Sequence, residues 1–231
     1  MYAISEDDIE QFYREGYFLA PSFIDQACVD ALNAEREEHV KGIDSKEWSA
    51  TAVSNLDEAA TELPATVAFL RDPRLVQIYE ALLGAPVKLW LGMYAVVMPG
   101  GDGLAWHQDN QYTHILGHML NAFVALDEIS VEKAGLWIAP GSHRLGRQPN
   151  INTEPGHRRA ADPENGEPCP PMKPGDAMIF HRETLHRSLS NRTDTPRRAF
   201  AFQVASGTCR YAETGKLLED RHWLSKTQEG E

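Results

Sequence analysis

After Gly84 the chain changes period. Upstream, Leu75, Ile78, Tyr79, Leu82 and Leu83 recur at helical spacing behind an Asp72-Pro73 start, and Gly84 is the stop. Downstream, Val87, Leu89, Leu91 and Met93 alternate with Lys88, Trp90 and Tyr94, the pattern of a half-buried strand with two faces. From there the chain reads as strands, at 87–98, 104–112, 122–126, 136–139, 177–180, 185–189 and 198–204. Turns are expected at Pro99-Gly100-Gly101, Pro140-Gly141-Ser142 and Pro174-Gly175-Asp176. Short strands without interleaved helices argue for an antiparallel barrel or double sheet, not a doubly wound one.

Residues 1–84 read as a mostly helical flank. Ser5 and Asp8 form a capping-box-like start, Ile9, Phe12 and Tyr13 one apolar face, and Gly16 the stop. Tyr17 to Ala20 is extended, and Asp25 then caps a second helix with Val29, Leu32 and Val40 inward and Glu35 to Glu38 on a solvated face. Lys41 to Leu63 is polar and weakly patterned, so a loop is expected. No linker divides the 231 residues, which places one domain over 1–231, with a barrel core over 85–206. Within it, residues 144–173 form a long Pro- and Gly-rich segment of the kind that serves as a lid, and residues 207–231 form a tail expected to close over a ligand.

Charge narrows the partners. With 22 Lys and Arg against 34 Asp and Glu, the net charge of −12 disfavours nucleic acid or an anionic membrane and leaves a small molecule as the expected ligand. Cys28, Cys169 and Cys209 are odd in number and widely spaced, which indicates neither a disulfide framework nor a thiolate metal site and fits a reducing, cytoplasmic setting. The acidic start lacks the pattern of a signal peptide, and the apolar stretch from Leu89 to Met98 is too short for a membrane-spanning helix.

The chemistry concentrates in Trp106-His107-Gln108-Asp109. In an extended strand His107 and Asp109 share one face while Trp106 and Gln108 take the other, which gives half of a metal site. A His-x-Asp triplet alone is weak, because chance supplies it in many chains. The best third ligand is His186, and two His with one carboxylate leave positions open on an iron for substrate and dioxygen. Beyond His186 come Ser188, Asn191 and Arg197. Arg197 opens a strand whose alternate residues Ala199, Ala201 and Gln203 leave room for a ligand, and its guanidinium suits a carboxylate, with a serine hydroxyl as a further donor.

With these motifs in order, the chain resembles the phytanoyl-CoA dioxygenase family of iron(II)- and 2-oxoglutarate-dependent oxygenases. The resemblance runs from Phe12-Tyr13-Arg14-Glu15-Gly16-Tyr17 through Leu82-Leu83-Gly84, the His107 motif, Ala134-Gly135-Leu136-Trp137 and Pro140-Gly141-Ser142-His143. It continues through Pro174-Gly175-Asp176 and Phe180-His181 to His186, Ser188, Asn191 and Arg197. It implies a mainly β fold, a double-stranded β-helix (jelly-roll, cupin-like) barrel with N-terminal flanking helices. It further implies that His107, Asp109 and His186 bind iron(II), that Arg197 and Ser188 hold the distal carboxylate of 2-oxoglutarate, and that Trp137 lines the cosubstrate pocket. Dioxygen is the second cosubstrate, and succinate and carbon dioxide are the co-products.

His181 competes with His186 but does not match the family's spacing to Arg197, and Gln108 stays without a role. A carboxylate at Asp109 points away from halogenation, for which related enzymes carry a small residue there. Trp90 and Tyr94 are candidates for the substrate pocket. The substrate expected is a small polar metabolite of a biosynthetic pathway, hydroxylated or oxidatively cyclised. Two alternatives stand beside this, a metal-dependent cupin-like enzyme that does not use 2-oxoglutarate and a non-catalytic binding barrel.

Overall fold

The computed structural model describes residues 2–39, 52–84, 86–152 and 156–225. Local signals set the flank. Helix α1 (Glu6–Glu15) begins where the Ser5 side chain accepts from the Asp8 amide while the Asp8 carboxylate accepts from the Ser5 amide, and it ends at Gly16, whose φ of 83° favours glycine. Strand β1 (Tyr17–Ala20) and helix α2 (Gln26–His39) follow, with Val29 and Leu32 buried. Next come β2 (Ala52–Val53), α3 (Leu56–Glu62), α4 (Pro64–Leu70) and α5 (Pro73–Leu83), the last capped by the Asp72 side chain.

Two expectations for the flank are corrected. From residue 52 onward the expected loop contains β2 and α3. Helix α3 buries only Leu56 and leans on its Asn55 cap, so it carries too little apolar periodicity to show in the sequence. Glu35 is not on a solvated face, because its carboxylate accepts from the amides of Ala65 and Thr66 and so caps α4, while Arg36 beside it is buried. Val40 and residues 41–51 lie outside the described residues.

The strands are β3 (Val87–Val97), β4 (Ile115–Leu116), β5 (Met119–Ala125), β6 (Leu136–Ile138), β7 (Glu167–Pro168), β8 (Ala177–His181), β9 (His186–Ser188), β10 (Arg197–Ser206) and β11 (Arg210–Tyr211). Among the described residues all pair antiparallel, in a six-stranded sheet of order β1-β8-β5-β10-β3-β2, a three-stranded sheet β7-β6-β9 and the pair β11-β4. The helices cover one face of the large sheet, where Phe200, Phe202 and Val204 of β10 join Leu32, Leu70, Tyr79 and Leu82 in the main core. Phe69 meets both Phe200 and Phe202 edge-on, at 5.7 and 5.5 Å. The other face meets the small sheet across a second core of Phe123, Leu136, Ile138, Met178, Phe180 and Ala199. This is the layering of a double-stranded β-helix.

Strand β3 departs from simple alternation. Its pairing with β10 slips between Gln203, opposite Leu91, and Val204, opposite Leu89, so Trp90 is an extra residue in a β-bulge. Leu89 therefore joins the helix-facing core, whereas Leu91 and Met93 turn to the interior and Tyr94 faces the helices. The expected continuous strand 104–112 is also corrected. Only His107 makes a bridge, to His186, and Asp109–Gln111 is a single 3-10 turn. The tail, as far as residue 225, packs Cys209 and Leu218 with Trp90 and Ile115 and lays Trp223 over Lys88; no residue from 207 to 225 lines the interior cavity. Among the described residues no helix is long and apolar enough to cross a membrane.

Candidate active site

His107 and His186 are fixed by their own main chains. The His107 amide donates to the His186 carbonyl and the His186 amide to the His107 carbonyl, each at 3.0 Å. Such a closely bonded antiparallel pair places the two side chains on the same face, and the ring centres lie 4.2 Å apart. Each ring is oriented through Nδ1, which faces a carbonyl: Ala105 at 2.8 Å for His107 and Thr184 at 3.0 Å for His186. With Nδ1 carrying the proton, each Nε2 presents a free lone pair, the form that binds metal. Burial, aided by the neighbouring His186 and opposed by Asp109, pushes the His107 pKa down to about 4, so the ring is neutral at pH 7.

Asp109 enters from the 3-10 turn. Its Oδ2 accepts from Asn121 Nδ2 at 2.6 Å and Gln203 Nε2 at 2.8 Å, while Oδ1 lies 3.7 Å from His107 Nε2. One ligand atom from each of His107, Asp109 and His186 falls within 4.8 Å of the others. Two imidazole nitrogens and one carboxylate oxygen, with further positions open toward a cavity, are the donor set of non-haem iron(II) oxygenases. The residues present fit that metal.

The cavity, of about 330 Å³, is lined by the triad, by Leu91, Met93 and Ala95 of β3, and by Phe123, Ser188 and Arg197. Arg197 is 3% exposed and lies over the Phe123 ring at 5.1 Å. Among the described residues its guanidinium has one hydrogen bond, from Nη1 to the Ala95 carbonyl at 3.0 Å, and its Nε has no partner. The carboxylate of Asp127, whose charge acts on Arg197, is taken by Arg198 at 2.8 Å. A buried cation without a counter-ion is costly, and here it faces a cavity. The Ser188 hydroxyl accepts from the Leu104 amide at 3.1 Å, and Gly103 lies so close to the Ser188 carbonyl that a β-carbon would collide with it.

The structure thus brings together His107, Asp109, His186, Ser188 and Arg197. It does not bring Trp137, Tyr94 or Trp90 to them. Trp137 alternates with the cavity-facing Leu136 and so points out of the small sheet, where the Arg187 guanidinium lies between the rings of Trp106 and Trp137 at 4.9 and 4.6 Å. Tyr94 is buried against the helices, its hydroxyl 2.8 Å from Thr66 Oγ1 and donating to the Leu32 carbonyl. Trp90, displaced by the bulge, packs under the tail against Arg182 and Arg221.

His181 lies among Phe12, His118 and His143, away from the triad. Gln108 faces away from the triad, as alternation requires. Its amide holds the start of the long loop, donating to the Gly146 and Glu183 carbonyls and accepting from the Gln148 amide. The residues not anticipated are Asn121, whose signal is a lone amide in the apolar run Leu120-Asn121-Ala122-Phe123-Val124, and Gln203 as a donor to Asp109.

The model of the phytanoyl-CoA dioxygenase (PhyH) family matches residues 12–199. The chain belongs to this family. Family membership makes it an iron(II)- and 2-oxoglutarate-dependent oxygenase. One relative is the methylphosphonate hydroxylase of Gimesia maris, 27% identical over 206 residues that span 84% of this chain and 78% of the relative. Another is phytanoyl-CoA dioxygenase domain-containing protein 1 of Danio rerio, 31% identical over 151 residues, 59% of this chain; the match spans about half (49%) of that relative's length. Among solved structures, the PhyH fold is shared with the α-ketoglutarate-dependent epimerase SnoN of nogalamycin biosynthesis, at a TM-score of 0.77 and 22% identity over 98% of each chain.

Proposed function

We propose that His107, Asp109 and His186 hold iron(II), that Arg197 and Ser188 hold the distal carboxylate of 2-oxoglutarate, and that the substrate oxidised beside them is a small polar metabolite. The observation that carries the cosubstrate assignment is Arg197, a buried guanidinium without a carboxylate partner among the described residues, facing the cavity that contains the triad. Iron bound to the triad would supply activation of dioxygen coupled to decarboxylation of the keto acid, with succinate and carbon dioxide released and the substrate hydroxylated or oxidatively cyclised. Arg197 neutralises and orients the carboxylate through charge-assisted hydrogen bonds, and Ser188 adds a donor. Asn121 and Gln203 engage one oxygen of Asp109 and leave the other for the metal. The apolar wall of Leu91, Met93 and Phe123 keeps water from the keto acid.

The size of the cavity supports a small substrate. At about 330 Å³ it lies at the low end for ligand sites, roughly 300–1,000 Å³, and the keto acid takes part of that space. Asp102 and His157 add polar side chains to its lining. A biosynthetic role is supported by the similarity to an enzyme of nogalamycin biosynthesis. In a cupin-like enzyme without 2-oxoglutarate, Arg197 and Ser188 would instead have substrate or structural roles. The test is an anaerobic titration of the iron(II)-loaded protein with 2-oxoglutarate, watching for the visible charge-transfer band of a chelated keto acid. The band is expected in the wild type and absent in His186→Ala. One bound iron without a band would overturn the cosubstrate assignment, and no bound iron would overturn the metal site.

A further inference from the structure

Behind Asp109, on the side away from its free oxygen, a second arginine is buried. Arg182 follows β8, is 3% exposed, and directs its two terminal nitrogens at four groups, while its Nε has no partner among the described residues. Nη1 donates to Gln203 Oε1 at 2.7 Å and lies 3.5 Å from Met119 Sδ; Nη2 donates to the Thr113 carbonyl at 3.1 Å and lies 3.4 Å from the carbonyl of Asp109 itself. The face of Trp90 supports the guanidinium at 5.1 Å. Nothing in the cosubstrate or metal assignment uses this residue.

The consequence lies in the amide of Gln203. A glutamine amide fits nearly the same space in two orientations, and only one offers an N–H to a carboxylate. An arginine has donors only, so Arg182 requires Oε1 of Gln203 toward itself and thereby turns Nε2 toward Asp109 Oδ2. Asn121, the other donor to Oδ2, has no such constraint, since its Oδ1 is buried without a partner among the described residues. Arg182 also ties down the main chain of the 3-10 turn from which Asp109 projects.

We infer that Arg182 is a positioning residue for the metal site, acting through Gln203 to commit Oδ2 of Asp109 to hydrogen bonds and present Oδ1 as a single metal-binding oxygen. This rests on the assignment of the triad as the metal site. Outer partners of metal ligands are commonly worth about 10- to 100-fold in metal affinity, and that is the scale expected here.

The test is titration of the metal-free protein with cobalt(II), followed by its visible absorption, for wild type, Arg182→Lys, Gln203→Leu and the double variant, with His186→Ala as control. Urea unfolding of each metal-free protein is measured alongside. A lysine in place of Arg182 cannot hold both Gln203 and the Asp109 turn, so Arg182→Lys is expected to weaken cobalt binding at least tenfold. Gln203→Leu is expected to do the same with Arg182 present, and the double variant to lose little more than the worse single one. Unchanged cobalt affinity in a folded Arg182→Lys would overturn the inference, as would losses that multiply in the double variant. Should Arg182→Lys fail to fold, Gln203→Leu decides, and full affinity there overturns it. Failure of the wild type to bind cobalt would instead sink the triad assignment.

Discussion

Replacing Arg197 with methionine should move stability and ligand affinity in opposite directions. Burial pushes the guanidinium from the ordinary arginine range down to about 10. At about 1.4 kcal/mol per pH unit, that drop corresponds to about 3 kcal/mol against the charged form at neutral pH, where the side chain is protonated both folded and unfolded. Methionine keeps much of the stem's volume over Phe123 and removes this cost. It also removes the hydrogen bond to the Ala95 carbonyl, worth about 1–2 kcal/mol. The ligand-free variant should therefore be more stable than wild type by about 1–2 kcal/mol, read as a higher urea midpoint at unchanged slope.

Loss of the charge pair with the keto acid should cost about 2–5 kcal/mol, roughly 30-fold or more in affinity. The readout is the charge-transfer titration of the iron(II)-loaded variant. A residue that merely staples the sheet gives the reverse, a destabilised protein with unchanged keto-acid affinity. That result would refute the assignment of Arg197 as the carboxylate anchor.

Three further outcomes follow. Burial, together with His143 and His118, pushes His181 down from 6.5 to about 4. Its contribution is fully present above pH 6.5 and is lost as pH falls toward 4, because the unfolded chain alone takes up the proton in that window. Urea midpoints of the metal-free protein should fall between pH 7 and 5, and less steeply in His181→Phe; equal slopes would remove His181 from the account. Tyr94→Phe should cost about 1–2 kcal/mol of stability by breaking the hydroxyl's contacts with Thr66 and Leu32, and leave the keto-acid titration unchanged; a weaker band would return Tyr94 to the pocket. Gly103→Ala should lower stability by about 1–3 kcal/mol and weaken the keto acid, because the new methyl must displace the Ser188 carbonyl; normal melting with normal affinity would show that strand β9 yields freely.

The His107–Asp109 half of the triad was legible because its geometry is local, whereas His186, 79 residues beyond His107 and joined to it by a strand bridge, was legible through the resemblance and its spacing to Arg197. His107 and Asp109 are two residues apart, and even where the expected strand gives way to a 3-10 turn, the one intervening residue still sends Gln108 to the opposite side. That Arg197 faces the cavity was legible because the small residues that alternate with it mark the inner face of β10. What failed was whatever depends on pairing. The bulge at Trp90 is a property of two strands in register, so the face assigned to Leu89 could not be extended to Leu91, and Trp90 and Tyr94 were misplaced with it. Trp137 failed for a related reason, since a three-residue strand is too short for its own alternation to say which side is inside. Arg182 carries no local signal, because its importance lies in partners 21 and 73 residues away.

The bulge in β3 also decides how this pocket can change over generations. Odd-numbered residues before it, Val87 and Leu89, pack toward the helices and those after it, Leu91, Met93 and Ala95, line the cavity, so losing or gaining one residue there would exchange inside and outside along the strand. Insertions and deletions, which surface loops absorb readily, are barred from the middle of β3. Exchange of side chains at Leu91, Met93 and Ala95 is not. New ligand shapes can thus be reached in this chain by point substitution at a fixed length of strand.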